Sequence, residues 1–260
     1  KLNYTRSPIS NDSQYTFNTN EKSKYAIELY DTQQAYVINK TEVTKSDNDI
    51  KIAINGKLNL SNDIIKIDYT IHSDGTISVF NEFKPSHKLS GIIPKVGMEL
   101  ILNKDFELVS YYGKGPYENY TDRNSGSNKS IYETNANDMF EYKYLRPQDN
   151  GNRTNVSYFK VSNDKDLGIL ITGDNLQVSY LPYNHKQLNK AKHPYELLDS
   201  EYYYLNINGA VRGLGNAICG DLPLDKYTVE SLGKVGYSYR IIPFDKALSE
   251  QECIQMSLFK

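Results

Sequence analysis

Val235-Gly236-Tyr237-Ser238-Tyr239-Arg240-Ile241 alternates apolar and polar side chains without a break. A period of two sets one face on a core and the other in water, the mark of a half-buried antiparallel strand. The same period recurs in Ile50-Lys51-Ile52-Ala53-Ile54, Val96-Gly97-Met98-Glu99-Leu100 and Leu176-Gln177-Val178-Ser179-Tyr180. Between such runs stand Asn55-Gly56, Asp74-Gly75, Asn150-Gly151 and Asn208-Gly209. These dipeptides tolerate the positive φ of tight primed turns, and each is read as a hairpin signal. Closely spaced strands with few helical stretches predict an all-β, antiparallel sandwich or barrel. Helix is expected only over His185–His193, a turn or two, and over Leu248–Phe259, where Ser249 and Glu252 are spaced as a capping box.

Composition agrees with a folded chain. The 260 residues include 23 Tyr and 8 Phe but no Trp, and this aromatic content supplies apolar area that a disordered polar chain lacks. Lys and Arg number 30 against 32 Asp and Glu, a net charge of −2. With the lysines dispersed, that balance excludes the basic stripe of a nucleic-acid binder. No apolar run approaches the roughly 18–20 residues that cross a bilayer as a helix, so no membrane partner is expected. Lys1–Asp12 is polar and has no hydrophobic region of a signal peptide. Composition leaves the compartment open between cytoplasm and periplasm. Cys219 and Cys253 make neither a disulfide framework nor a metal-ligand spacing. Without repeats or a Gly-, Ser- or Pro-rich linker, residues 1–260 are read as one domain.

Alternation is weakest over Tyr111–Arg153, a stretch dense in Gly, Asn, Asp, Arg and Tyr. Long irregular segments in compact domains are usually functional or disordered, and the aromatics argue against disorder, so a site is sought here. Gly113-Lys114-Gly115 is followed by Pro116, which removes one of the backbone N–H groups a phosphate loop needs at a helix start. On spacing alone, Glu118, Asp122 and Arg123 read as a structural salt-bridge cluster. Glycosidases need two carboxyls about 5 Å or about 6.5–9.5 Å apart, and two acids four residues apart in a loop meet that only by accident. His72, His87, His185 and His193 show no His-x-His or His-x-x-x-His spacing and read as surface or hydrogen-bonded core histidines. No Gly-x-Ser-x-Gly elbow occurs. Gly213–Gly220 reads as a tight loop enclosing the thiol of Cys219.

In order along the chain, Arg6-Ser7-Pro8-Ile9-Ser10-Asn11-Asp12, Tyr112–Arg123, Tyr144–Thr154, Gly213–Gly220 and Tyr237–Pro243 resemble the signatures of the last domain of glycoside hydrolase family 2 β-galactosidases. Within them, Gly113-Lys114-Gly115-Pro116-Tyr117-Glu118-Asn119-Tyr120-Thr121-Asp122-Arg123 is similar to GxGPxENYxDR, and Pro147–Thr154 to PQENGNRT. The resemblance implies the antiparallel supersandwich shared with galactose mutarotase. It places a jelly-roll, two immunoglobulin-like domains and a (β/α)₈ barrel ahead of this domain, and both catalytic glutamates in the barrel. It further implies that Lys1 starts inside the domain, without its first strands, and that a short extra tail follows about residue 243. No catalytic group, metal or cofactor is then expected here, any Mg or Na of the parent belonging to other domains. The implied role is an accessory one, completing the sugar site and scaffolding the assembly of a homo-oligomeric parent that hydrolyses terminal β-galactosides in carbohydrate catabolism. Its partners would be the β-galactoside sugar and the catalytic barrel.

Under that resemblance Gly213, Leu214, Gly215, Asn216, Ala217, Ile218 and Cys219 form the substrate-approach loop, with Cys219 near the place where many members carry a Trp. Tyr117, Glu118, Asn119, Asp122, Arg123, Asn150 and Arg153 take structural or interface roles. Arg123→Ala is expected to cost about 2–4 kcal/mol where the group is buried and paired. Two other classes compete: a free-standing carbohydrate-binding module and a mutarotase-like epimerase. The latter wants a carboxylate base and a histidine acid converging on a sugar.

Overall fold

A computed structural model of the chain describes residues 1–12, 36–58, 62–85, 93–215, 223–229 and 232–258. Its strands are β1 (Leu2–Asn3), β2 (Tyr36–Lys45), β3 (Asp49–Leu58), β4 (Ile64–His72), β5 (Ile77–Lys84) and β6 (Lys95–Asn103). They continue with β7 (Leu108–Gly115), β8 (Asn128–Asn135), β9 (Arg153–Ser162), β10 (Gly168–Leu181), β11 (Tyr202–Val211) and β12 (Val235–Phe244). Two α-helices, α1 (His185–Lys190) and α2 (Glu250–Leu258), and two single-turn 3-10 helices, Pro194–Glu196 and Asp225–Tyr227, accompany them. The strand pairs are antiparallel, as the period of two predicts.

The longest strand, β10, shapes the molecule. Along one edge it pairs with β9 from Gly168↔Ser162 to Val178↔Arg153. On its other edge Gly168–Gly173 pairs with β12, whereas Gln177–Leu181 pairs with β11. The sheet therefore divides at β10: one branch runs β12-β5-β4-β3-β2, the other β11-β6-β1, and β9-β7-β8 extends the opposite edge. Register irregularities between Thr172 and Val178 mark the change of partner, as expected where a bulge bends a strand. Val156, Phe159, Ile171, Leu176, Val178, Tyr180, Leu205 and Ile207 lie fully buried around the branch point.

Three of the four turn dipeptides serve other purposes. Asp74-Gly75 does turn the β4–β5 hairpin, with Gly75 at φ +83°. Asn55-Gly56 instead lies inside β3, where a Cβ on Gly56 would sit 2.6 Å from the Val37 carbonyl oxygen. Asn208-Gly209 lies at a bulge of β11 against the Tyr237 ring. Asn150-Gly151 leads into β9, with Gly151 at φ +76°. Close backbone approach, not chain reversal, calls for glycine at 56 and 209.

The half-buried reading also needs correction. Its polar faces meet water along β12, but Lys95, Glu99, Gln177, Ser179, Asn206 and Asn208 on β6, β10 and β11 are buried. Likewise Tyr111–Arg153 is not irregular throughout, since most of β7 and all of β8 fall within it.

Both helices form where expected. Asn184 and Gln187 close a capping box on α1. Before α2, Ser249 Oγ accepts from the Glu252 N–H at 3.3 Å and Glu252 Oε2 accepts from the Ser249 N–H at 2.8 Å. That tail is packed, since Leu248 and Cys253 bury against Tyr158 and Leu170. His72 bonds Asp49 and Ser78, His193 bonds Glu196, and His185 is buried in α1; His87 lies outside the described residues.

Candidate functional site

Cross-strand sheet bonds leave the loops at one end of β7 and β9 without ladder partners, so side chains must satisfy them. Asn119 is the hub. Its Nδ2 donates to the carbonyls of Lys114 (2.9 Å) and Tyr117 (3.0 Å), and its Oδ1 accepts from the Thr154 N–H and hydroxyl. Its backbone N–H donates to the Asn152 carbonyl, and the Asn152 amide returns a bond to the Asn119 carbonyl at 2.9 Å. Arg153, also buried, donates from Nε to Tyr111 Oη at 3.0 Å and from Nη1 to the Gly151 carbonyl at 3.0 Å. Asn150 accepts from the Glu141 N–H and donates to the Gln148 carbonyl.

At the rim, Glu118 receives three donors: Arg123 Nη2 at 2.5 Å, the Tyr144 hydroxyl, and the Gly151 N–H at 2.8 Å. Tyr144 is pushed up to about 12 by burial and by the hydrogen bond to Glu118. The Arg123 side chain is 53% exposed but that of Glu118 only 11%, so the pair joins a half-exposed guanidinium to a largely buried carboxylate. Tyr117 is 78% exposed beside it.

Deeper in lies a charged layer. Arg6 and Asp12 pair at 3.1 Å with side chains 1% and 4% exposed. The Tyr120 hydroxyl donates to Asp149 Oδ2 at 3.2 Å, and Lys95 Nζ donates to Asn206 Oδ1 at 3.2 Å. Burial pushes the Asp149 carboxyl up against the pull of Lys95 and Arg6, and pushes the Lys95 ammonium down against that of Asp149 and Glu99. Burial and the neighbouring Asp149 hold the Tyr120 phenol well above its ordinary value.

Above this layer runs the segment that follows β11. Arg6 Nη1 donates to the Arg212 carbonyl at 2.8 Å, Asn11 Nδ2 donates to the Leu214 carbonyl at 2.8 Å, and Asp122 Oδ2 accepts from the Gly215 N–H at 2.8 Å. A Cβ on Gly213 would meet the Asp122 carboxylate at 2.6 Å, and Gly215 takes φ +124°. The structure thus brings Asp122, Gly213, Leu214 and Gly215 together, with Glu118, Asn119, Arg123, Asn150 and Arg153 in the adjoining network. Asn216, Ala217, Ile218 and Cys219 lie outside the described residues. Residue-by-residue reading passed over Arg6, Asn11, Asp12, Lys95, Tyr120 and Asp149. All but Lys95 stand inside the quoted signature segments, and that was the available signal. Among the described residues, no three His, Cys, Asp or Glu gather in metal-holding range.

The family described as "Beta galactosidase small chain" matches residues 1–241. A beta-galactosidase of Priestia megaterium is 31% identical over 167 residues, 63% of this chain and 16% of that protein. One of Streptococcus thermophilus is 28% identical over 252 residues, 94% of this chain and 24% of that protein. The chain therefore spans about a quarter or less of these relatives' length. Among solved structures, galactose 1-epimerase from Lactobacillus acidophilus aligns with 80% of this chain and 67% of its own, at TM-score 0.44 and 7% identity. The family match runs from Lys1, just before β1, to Ile241 in β12 and takes in every residue of the site described above, so the chain belongs to the beta galactosidase small chain family.

Proposed function

We propose that the chain is the accessory domain of a β-galactosidase. It docks on the catalytic part of a longer polypeptide and brings the loop begun by Gly213–Gly215 to the rim of the sugar site. Hydrolysis of the β-galactoside is then carried out by carboxylates outside this chain. One observation carries the reading: the acids of the signature segments are engaged inside the domain. Glu118 faces Arg123, Tyr144 and Gly151; Asp12 faces Arg6; Asp122 holds Gly215; and Asp149 is buried against Tyr120. A glycosidase pair must instead flank an open cleft, one member ready to give a proton and the other to attack or to activate water.

The test uses an aryl β-galactoside with three preparations: the 260-residue chain, the full-length enzyme, and the enzyme truncated before this domain. The chain alone should show no turnover, and the truncated enzyme should recover activity when the chain is added. Turnover by the chain alone, abolished by Glu118→Gln, would overturn the reading. So would a truncated enzyme with unchanged kcat and KM.

A further inference from the structure

We infer that Arg6, Asn11 and Asp122 are positioning residues: together they clamp Arg212–Gly215 and set the course on which the approach loop leaves the sheet. The inference rests on the reading that this loop reaches the sugar site, and adds which residues hold it there. Arg212–Gly215 is irregular backbone, so its N–H and C=O groups have no ladder to pair with. In a solvent-facing turn water would serve them. Here the protein serves nearly all of them. The Arg212 and Gly213 N–H groups donate to the carbonyls of Pro94 and Tyr227, both at 2.9 Å. The Arg212 and Gly213 carbonyls accept from Arg6 at 2.8 and 3.4 Å, the Leu214 carbonyl from Asn11, and the Gly215 N–H donates to Asp122.

The clamping side chains come from two remote stretches, residues 6–12 and the loop after β7. Each is itself fixed. Asp12 holds Arg6 from two directions while accepting from the Ile9 N–H at 3.1 Å. Asp122 follows Tyr120, which is fully buried and bonded to Asp149. The contact is close enough to dictate the sequence it grips. Gly213 leaves no room for a Cβ beside the Asp122 carboxylate, and Gly215 adopts a backbone angle that side-chain-bearing residues rarely take. Asp122 Oδ1 is buried without a hydrogen-bond partner, a cost the fold bears to keep a carboxylate rather than an apolar group at this point. Such near-complete satisfaction of an irregular segment is how a fold preorganises a contact that it must present with little freedom.

The full-length enzyme carrying Asp122→Ala, Asp122→Asn or Asn11→Ala tests this by amide hydrogen exchange and by steady-state kinetics. Asp122→Ala should speed exchange of the Gly215 amide about tenfold or more, as local opening becomes easier. It should raise KM about three- to tenfold with kcat changed less than about twofold, the pattern of lost positioning rather than lost chemistry. Asp122→Asn, which keeps an oxygen for the Gly215 N–H, should restore both to within about twofold of the unaltered enzyme. Asn11→Ala removes the half-buried bond to the Leu214 carbonyl and should shift both readouts in the same direction without unfolding the domain. Unchanged Gly215 exchange in both alanine variants refutes the clamp itself. Faster exchange with KM and kcat both unchanged keeps the clamp but removes its role in the reaction, because the loop would not reach the sugar. Equal loss from Asp122→Ala and Asp122→Asn, with a lowered melting temperature, reduces Asp122 to a structural group.

Discussion

Arginines in the signature segments look alike as letters and differ in what surrounds them. Arg6 is buried with Asp12 and makes two further bonds to carbonyls of a distant segment. Arg123 pairs with Glu118 at the rim and remains half exposed. Removing one partner of a buried ion pair strands the other charge, so Arg6→Ala should cost about 3–5 kcal/mol. Arg123 is half exposed, and without it Glu118 keeps the Tyr144 hydroxyl and the Gly151 N–H as donors, so Arg123→Ala should cost about 1 kcal/mol, below the roughly 2–4 kcal/mol expected had the arginine been buried. Urea unfolding of the two variants gives both values, and equal losses would contradict the burial difference. A sequence shows that Arg123 stands among acids; it does not show whether water reaches them. Arg6 was legible as part of a motif, but its partners at 212 and 213 are distant in sequence, and no spacing rule connects them.

At the level of elements, the period of two located β3, β6, β10 and β12 because alternation depends only on a face being apolar. It misjudged what lies opposite the polar face. Glu99 and Gln177 occupy outward positions by count, yet they are buried, Glu99 against Lys1 and Gln177 under Asn152, residues far from them in the chain or in another loop. The Asn-Gly dipeptides misled for a related reason: a glycine needed for space and one needed for positive φ are written with the same letter. Helix α2 was legible because its signal is local. Ser249 and Glu252 satisfy each other's backbone N–H groups, and the helix they start covers Tyr158 and Leu170. Ser249→Ala should lower stability by about 1 kcal/mol, the usual cost of losing an N-cap. A shift of the urea midpoint at constant slope checks it; no shift would mean that packing of Leu248 and Cys253 holds the helix without its cap.

For the molecule as a whole, tyrosine takes much of the place that Trp and Phe fill elsewhere, and its phenols make the fold sensitive to alkali. Tyr142 and Tyr144 are pushed up to about 12, by burial first and then by the charge of the neighbouring Tyr183 for the one and the hydrogen bond to Glu118 for the other. Burial raises Tyr4, Tyr120, Tyr180, Tyr237 and Tyr239 as well. An unfolded chain releases these protons near pH 10, before the folded one does. The stability tied to the neutral phenols is therefore complete below about pH 10 and drains away as the pH rises toward 12 and beyond, by about 1.4 kcal/mol per unit for each fully buried tyrosine. The last part of the phenolate absorbance, that of the buried tyrosines, should rise in one cooperative step together with loss of the folded circular-dichroism signal. Ionisation of every tyrosine at intact fold would contradict it. The Arg6 clamp also bears on the order of synthesis. Arg6 leaves the ribosome well ahead of its carbonyl partners at 212 and 213, which are joined 206 and 207 positions later. At about 5–20 residues per second, the Arg6 side chain waits some 10–40 seconds for partners that do not yet exist. During that wait it stays hydrated, and so does Asp12. The stretch from Arg6 to Asp12 can therefore close on Arg212–Gly215 only after β11 has been made, so a nascent chain ending before Gly213 carries its buried arginine without the carbonyls that cover it.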